Sequence, residues 1–281
     1  MGNRTRTETV NIRVTGASII VSRQSFLSQD PYDVIQSNLS FVNYLLQEHF
    51  RPDELSRAAL VSYYVDYYLS QVNNGGFSQF VYNSRWAPGV IDRVRGGLLG
   101  MKADRHLEVF EQGAALVASL GDAALHDYFA SEYFGDNPTR DMLNTVNDAF
   151  YAIGEAQDLI QLNAAWIRKH PDLVVLTIAQ MKDEIDRRIA RMVDRDARVA
   201  SALDAEPRYM KLIRALTVKA GQDLSAVTAG DPSHVYEGKQ MLAWHFITDA
   251  GQHYMLDLGD EALMFDEAHN ELARIPASNV G

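Results

Sequence analysis

Apolar residues along this chain fall first on alternate positions and then on a helical period. Val10, Ile12 and Val14 alternate with polar neighbours, the spacing of a half-buried strand, and the run breaks at Gly16. Asp30-Pro31 followed by Asp33 reads as a helix start. A cap carboxylate accepts from the first free amides, and proline fills a position whose N–H has no helical partner. Val34, Ile35, Val42, Leu45 and Leu46 give that helix its apolar face. Asp53 and Glu54 suit the positive end of a second helix, which carries Val61, Tyr64, Val65, Tyr68, Leu69 and Val72 on its inner side and should stop at Asn73-Asn74-Gly75-Gly76. Further helices are expected at about 89–102, 104–119, 122–134, 139–153 and 155–169. Gly121, Gly135 to Pro138, Gly154 and Pro171 punctuate them.

From Asp172 the spacing predicts a longer helix to about Leu203, with Ile178, Met181, Ile185, Ile189 and Met192 on one face. Glu184/Arg188, Asp183/Arg187 and Asp194/Arg198 stand four apart along it. Such a face packs either on its own domain or as a short coiled coil. Residues 223–233 are rich in turn formers and read as a linker. Met241, Leu242, Trp244, Phe246 and Ile247 then form a strand-like run, Asp249-Ala250-Gly251 a hairpin turn, and Tyr254, Leu256 and Leu258 the return strand, with a third strand at Ala262 to Phe265. A lone hairpin is marginal in water, so this sheet is expected to recruit the N-terminal strand. The fold class is therefore mainly α: a multi-helix bundle with a small antiparallel β-sheet from the C-terminal segment and the N-terminal strand. The expected segments are 1–29 (strand), 30–220 (helical domain) and 221–281 (strand-rich).

Composition narrows the chemistry. The 281 residues include no cysteine, which removes disulfides, thiolate nucleophiles and Cys-ligated zinc. No apolar run reaches the roughly 18 residues that span a bilayer, and the polar, Arg-containing start lacks the apolar block of a secretory signal, so a cytoplasmic protein with no membrane partner is expected. The net charge of −11 disfavours direct contact with nucleic-acid phosphates. Charge is unevenly placed: residues 30–170 hold 18 acids and 10 bases, and residues 221–281 hold 10 acids against Lys239 and Arg274 alone.

No His-Glu-x-x-His, Gly-x-Ser-x-Gly, P-loop, EF-hand or Gly-x-Gly-x-x-Gly pattern occurs. The eight histidines are scattered, with only His245 and His253 expected to face each other across the hairpin. No catalytic residue, metal ligand or cofactor is assigned.

The most unusual local run is Gln71-Val72-Asn73-Asn74-Gly75-Gly76-Phe77-Ser78-Gln79-Phe80-Val81-Tyr82-Asn83-Ser84. Paired glycines permit left-handed backbone after a helix, and Phe77 and Phe80 anchor the next one. Two readings stay open. One is a tight helix–helix joint; the other is a ligand or partner pocket built from Asn73, Asn74, Gly75, Gly76, Phe77, Gln79 and Asn83. Tyr63 and Tyr67, off the core stripe of Tyr64 and Tyr68, are candidates for a contact surface.

This run, with the preceding Val65-Asp66-Tyr67-Tyr68-Leu69 helix and the later Tyr128-Phe129 to Tyr151 region, resembles a bacterial DNA-mimic-protein-like helical domain family over about residues 30–170, much of it known only as a domain of unknown function. The resemblance implies an all-helical fold, with a homodimer as one open form, that presents carboxylates in place of phosphates to a basic DNA-binding protein. Candidate carboxylates are Asp104, Glu108, Glu111, Asp122, Asp127, Glu132, Asp136, Asp141, Asp148, Glu155 and Asp158, which also read simply as a solvated acidic face. The expectation is a non-enzymatic acidic interaction protein, with a small-molecule-binding domain or an enzyme near the Asn-Gly-Gly-Phe turn as the alternative.

Overall fold

The computed structural model describes residues 14–279. The expected strand positions Val10 and Ile12 lie outside them. The chain divides into two compact units, Met1–Val193 and Asp194–Gly281, rather than at residue 221. Among the described residues no helix is long and apolar enough to cross a membrane.

The first unit opens with β1 (Ile19–Ser22) and α1 (Arg23–Leu27), followed by α2 (Pro31–Gln47). Asp30 caps α2 as its spacing implies, accepting from the Tyr32 amide at 2.8 Å, with Pro31 in the first turn. The second long helix starts later than Asp53. Pro52–Glu54 form a single 3-10 turn, and α3 (Arg57–Ser84) begins behind Ser56, whose hydroxyl accepts from the Ala59 amide. Then come α4 (Pro88–Gly100), α5 (Asp104–Ala130, interrupted at Gly121), α6 (Pro138–Leu143), α7 (Asn147–Ile153) and α8 (Leu159–Lys169). The glycine and proline punctuation located these elements well because each marks a backbone conformation the helix cannot carry through: Gly121 sits at φ 73°.

Two corrections concern β structure. Leu173–Leu176 is a strand, β2, and not the start of a long helix. It pairs in parallel with β1, Ile19 opposite Leu173 and Ser22 opposite Leu176. Leu173-Val174-Val175-Leu176 carries two adjacent β-branched residues, and Thr177 then starts α9 (Ile178–Ile189) with a capping box to Gln180. The N-terminal strand is thereby taken up inside the helical unit, and the C-terminal sheet does not recruit it among the described residues. A second helix, α10 (Arg195–Asp204), occupies the remainder of the expected long one. Met181 and Ile185 of α9 pack into the core of α2, β1 and β2, so this face serves its own unit. Glu184 is 6% exposed and bound by Arg187 and Arg188. Burial opposes its charge, yet the two guanidiniums hold its carboxyl below the usual range. Arg187 therefore pairs with Glu184 and not with the expected Asp183.

In the second unit α11 (Arg208–Ala220) is ended by Gly221 in the left-handed region, and β3 (Leu224–Tyr236), β4 (Lys239–Thr248), β5 (Gly251–Asp257), β6 (Glu261–Asp266) and β7 (Glu271–Pro276) form an antiparallel meander. The segment read as a linker is the long edge strand β3. Gly230 and Asp231 stay in register opposite Trp244 and Ala243, and Pro232 falls in the register shift between Asp231 and His234, where a bulge tolerates it. Leu212, Ile213 and Leu216 of α11 cover Phe246, Met255, Ala262, Met264 and Ile275 on one sheet face. His245 stands opposite Tyr254, and His253 opposite Phe246, so the two histidines do not face each other.

One buried carboxylate stands out in the helical unit. Asp66, on α3, is 6% exposed, the Tyr32 hydroxyl of α2 lies near enough to favour its charged form, and no cation pairs with it among the described residues. Burial pushes its pKa up to about 6, against the lowering effect of Tyr32. A raised folded-state pKa means that the native chain takes up a proton before the unfolded chain does. The stabilising contribution of Asp66 is present in full below about pH 4 and is lost as pH rises through about 6. Asp66→Asn is expected to stabilise the unit by about 1–3 kcal/mol at pH 7.5 and to flatten the pH dependence of unfolding between pH 4 and 6, measured by urea titration.

Candidate functional site

The Asn-Gly-Gly-Phe run is a break inside α3. Gly75 and Gly76 leave helical geometry, Gly76 at φ 83° and ψ 179°, a region only glycine occupies without strain. The helix restarts at Phe77, and its free amides need acceptors. They find them 66 and 70 residues away. The Ser78 amide donates to Asn144 Oδ1 (3.1 Å) and the Phe77 amide to Asn147 Oδ1 (2.9 Å). Both side chains come from the 3-10 turn between α6 and α7 and its junction with α7. A Cβ on Gly76 would meet Asn144 Oδ1 at 2.3 Å and Asn147 Nδ2 at 2.4 Å, so the cap occupies the space that glycine vacates.

Tyrosine hydroxyls bond carbonyls on both sides of the break, Val72 and Gly75 before it and Ser78 after it. Tyr133 donates to Gly75 O (2.9 Å), Tyr151 to Val72 O (2.8 Å), and Tyr128 to Ser78 O (3.1 Å). Behind the break Phe77 is 1% exposed in a cluster of rings with Phe80, Trp86 and Phe110. Gly113 of α5 leaves room for it, since a Cβ there would lie 2.3 Å from the Phe77 ring. Tyr67, a contact-surface candidate, packs edge-on against Phe80 of the same cluster.

The seven residues singled out here thus part company. Gly75, Gly76 and Phe77 form the joint. Asn74, Gln79 and Asn83 come together with Gln71 in a chain of side-chain amides: Asn74 Nδ2 to Gln79 Oε1 (3.3 Å), Gln79 Nε2 to Gln71 Oε1 (3.0 Å), and Asn83 Nδ2 to the same oxygen (2.6 Å). Asn73 instead lines an open depression of about 330 Å³ with Leu69, His106, Phe150, Tyr151 and Gln157 among its walls. Sequence reasoning missed Asn144, Asn147 and the tyrosines. The spacing Asn144-x-x-Asn147 was the available signal, but nothing local says which distant amides it serves.

His106 is 5% exposed. Its Nε2 lies 2.8 Å from Gln157 O, and because a carbonyl only accepts, Nε2 carries the proton. Burial lowers its pKa, opposed by the Gln157 carbonyl and the charge of Asp158.

The carboxylates sort by use. Asp104, Glu108, Glu111, Asp122, Asp127, Glu132, Asp136, Asp141, Asp148 and Asp158 are all exposed; the side chain of Glu155 lies outside the described residues. Glu111 is held by Arg95 and Asp141 by Arg140, and Asp158 caps α8 by accepting from the Ile160 and Gln161 amides. Asp127, Glu132 and Asp136 converge on a second depression, about 530 Å³, with Phe134 at its wall. Phe134 is 83% exposed and packs edge-on against Tyr133. The loop is fixed from below. Asn137 donates to Glu132 O and Ser131 Oγ and caps α6, and Arg140 donates to Tyr133 O. Tyr133 then donates to Gly75 O, linking the acidic loop to the break in α3.

Asn147→Ala removes one cap and should cost about 0.5–2 kcal/mol in chemical unfolding. Gly76→Ala adds backbone strain and displaces both asparagines, so its cost should exceed that of Asn147→Ala, at roughly 2 kcal/mol or more. As pH falls below the ordinary imidazole range, the unfolded chain accepts a proton that the buried His106 ring resists. Stability should therefore drop on acidification, and His106→Phe should remove that part of the pH dependence in melting curves recorded from pH 7 to 5.

No curated protein and no solved structure matches the chain. Residues 53–170, which contain the joint, both depressions and every candidate carboxylate, match the model of a family described as DMP19-like protein.

Proposed function

We propose that this chain is a non-enzymatic interaction protein that offers exposed carboxylates of residues 104–158 to a basic DNA-binding protein, in the manner of a DNA mimic. The observation that carries the reading is the convergence of Asp127, Glu132 and Asp136 around the exposed Phe134 on a loop braced from beneath. These three acids make no ion pair among the described residues, so their charge is available to a partner. A basic surface meeting them gains attraction that ordinary salt screens, and Phe134 adds an apolar or cation–π contact for an arginine. The match of residues 53–170 to the DMP19-like model supports the same reading.

A tagged full-length chain should retain a basic DNA-binding protein from bacterial lysate at low salt and release it both at high salt and on addition of duplex DNA. Asp127→Asn, Glu132→Gln and Asp136→Asn combined should weaken that complex by roughly 3- to 150-fold, the sum of three exposed charge contacts, and reduce its salt dependence. Retention that is indifferent to salt and DNA sinks the proposal.

A second reading rests on the depression at Asn73 and His106, whose walls are mostly apolar with a few polar groups, the usual make-up of a small-molecule site. A compound that raises the melting temperature of wild type but not of Asn73→Leu would favour it.

A further inference from the structure

The interface of α2, α3 and α8 contains a polar seam that neither the joint nor the acidic face uses. Asn38 of α2, Ser62 of α3 and Asn163 of α8 are each no more than 1% exposed. Asn38 Nδ2 donates to Ala59 O (2.9 Å) and Asn163 Nδ2 donates to Ser62 O (3.1 Å). The two carbonyls belong to α3 and stand three residues apart, roughly 4.5 Å along its axis and on neighbouring faces of one turn. Each amide is thereby fixed in orientation, since turning it over would set oxygen against oxygen.

What remains is unpartnered. Asn38 Oδ1, Asn163 Oδ1 and Ser62 Oγ are buried and have no hydrogen-bond partner among the described residues. Asn38 Oδ1 and Asn163 Oδ1 can only accept, so they cannot satisfy each other, and the single hydroxyl hydrogen of Ser62 can serve only one of them. Buried polar groups are rarely left in this condition, because burial strips their hydration without returning a bond. A molecule with two donor hydrogens and a free lone pair completes the set.

We propose that this interface encloses an internal water site, in which water donates to Asn38 Oδ1 and Asn163 Oδ1 and accepts from the Ser62 hydroxyl. Three bonds is the usual coordination of buried water, and a polar, acceptor-rich lining is what separates a hydrated cavity from a dry one. The site ties α8 to the consecutive helices α2 and α3 and stands four residues before Asp66 on α3, beside which Tyr32 lies. An oxygen-only lining also suits a monovalent cation, and the test separates the two occupants.

Water-to-protein cross-relaxation in NMR spectra of the full chain should give cross-peaks from the Asn38 and Asn163 side-chain amide protons to a long-lived water. In Ser62→Ala, with circular dichroism unchanged, those peaks should weaken several-fold because the water loses one of its three anchors. Should Ser62→Ala fail to fold, the wild-type spectrum decides alone. Absence of both cross-peaks in wild type overturns the proposal. So does a wild-type melting temperature that changes when sodium and potassium are replaced by choline at constant ionic strength, since a bound cation would then hold the seam.

Discussion

The constraint on which the helical unit depends is the need to satisfy the amides exposed where α3 breaks. A helix of 28 residues that leaves helical geometry at Gly75 and Gly76 opens a new N-terminus inside the protein. Asn144 and Asn147 close it, and in doing so they bring the α6–α7 region against the middle of α3. Tyr133 and Tyr151 take up the carbonyls of Gly75 and Val72 on the other side. The joint thereby sets where α6, α7 and the loop before α6 lie, and that loop carries Glu132, Phe134 and Asp136. Backbone hydrogen bonding at one site decides the position of charge at another.

This division of labour explains why the most distinctive sequence run and the best-exposed chemistry do not coincide. Glycine at 76 is dictated by its positive φ and by the asparagine atoms occupying the space of a side chain. Phe77 is dictated by the ring cluster behind it. Neither residue presents chemistry outward. Asp127, Glu132 and Asp136, by contrast, lie on exposed positions of α5 and the following loop, where their side chains make no ion pair among the described residues.

Much of the helical unit was legible because its boundaries are written in local chemistry: Asp30-Pro31, Gly121, Asn137-Pro138 and Gly154 each act within a few residues of themselves. The hairpin of β4 and β5 was legible for the same reason. The pairing of β1 with β2 was not, since it joins segments more than 150 residues apart and a four-residue apolar run reads equally as helix or strand. Strand β3 was hidden because its glycine, aspartate and proline read as turn formers, whereas the strand lies on the sheet edge and takes Pro232 in a register shift. Within the candidate site, the glycines and Phe77 announced a joint, whereas the residues that complete it, Asn144, Asn147 and three tyrosines, act at a distance. The buried setting of Asp66 was likewise invisible, because its neighbour Tyr32 lies on another helix.

Hydrogen exchange of the full chain, free and bound to the basic partner it retains, tests the central claim that the turn is structural and the acidic loop is the contact surface. The Phe77 and Ser78 amides, buried and bonded to asparagine side chains, should exchange slowly in both states, while residues 122–141 slow only in the complex. Rapid exchange at Phe77 and Ser78 in the free chain, slowed by the partner while residues 122–141 stay unchanged, would contradict the account and make the glycine turn itself the binding site.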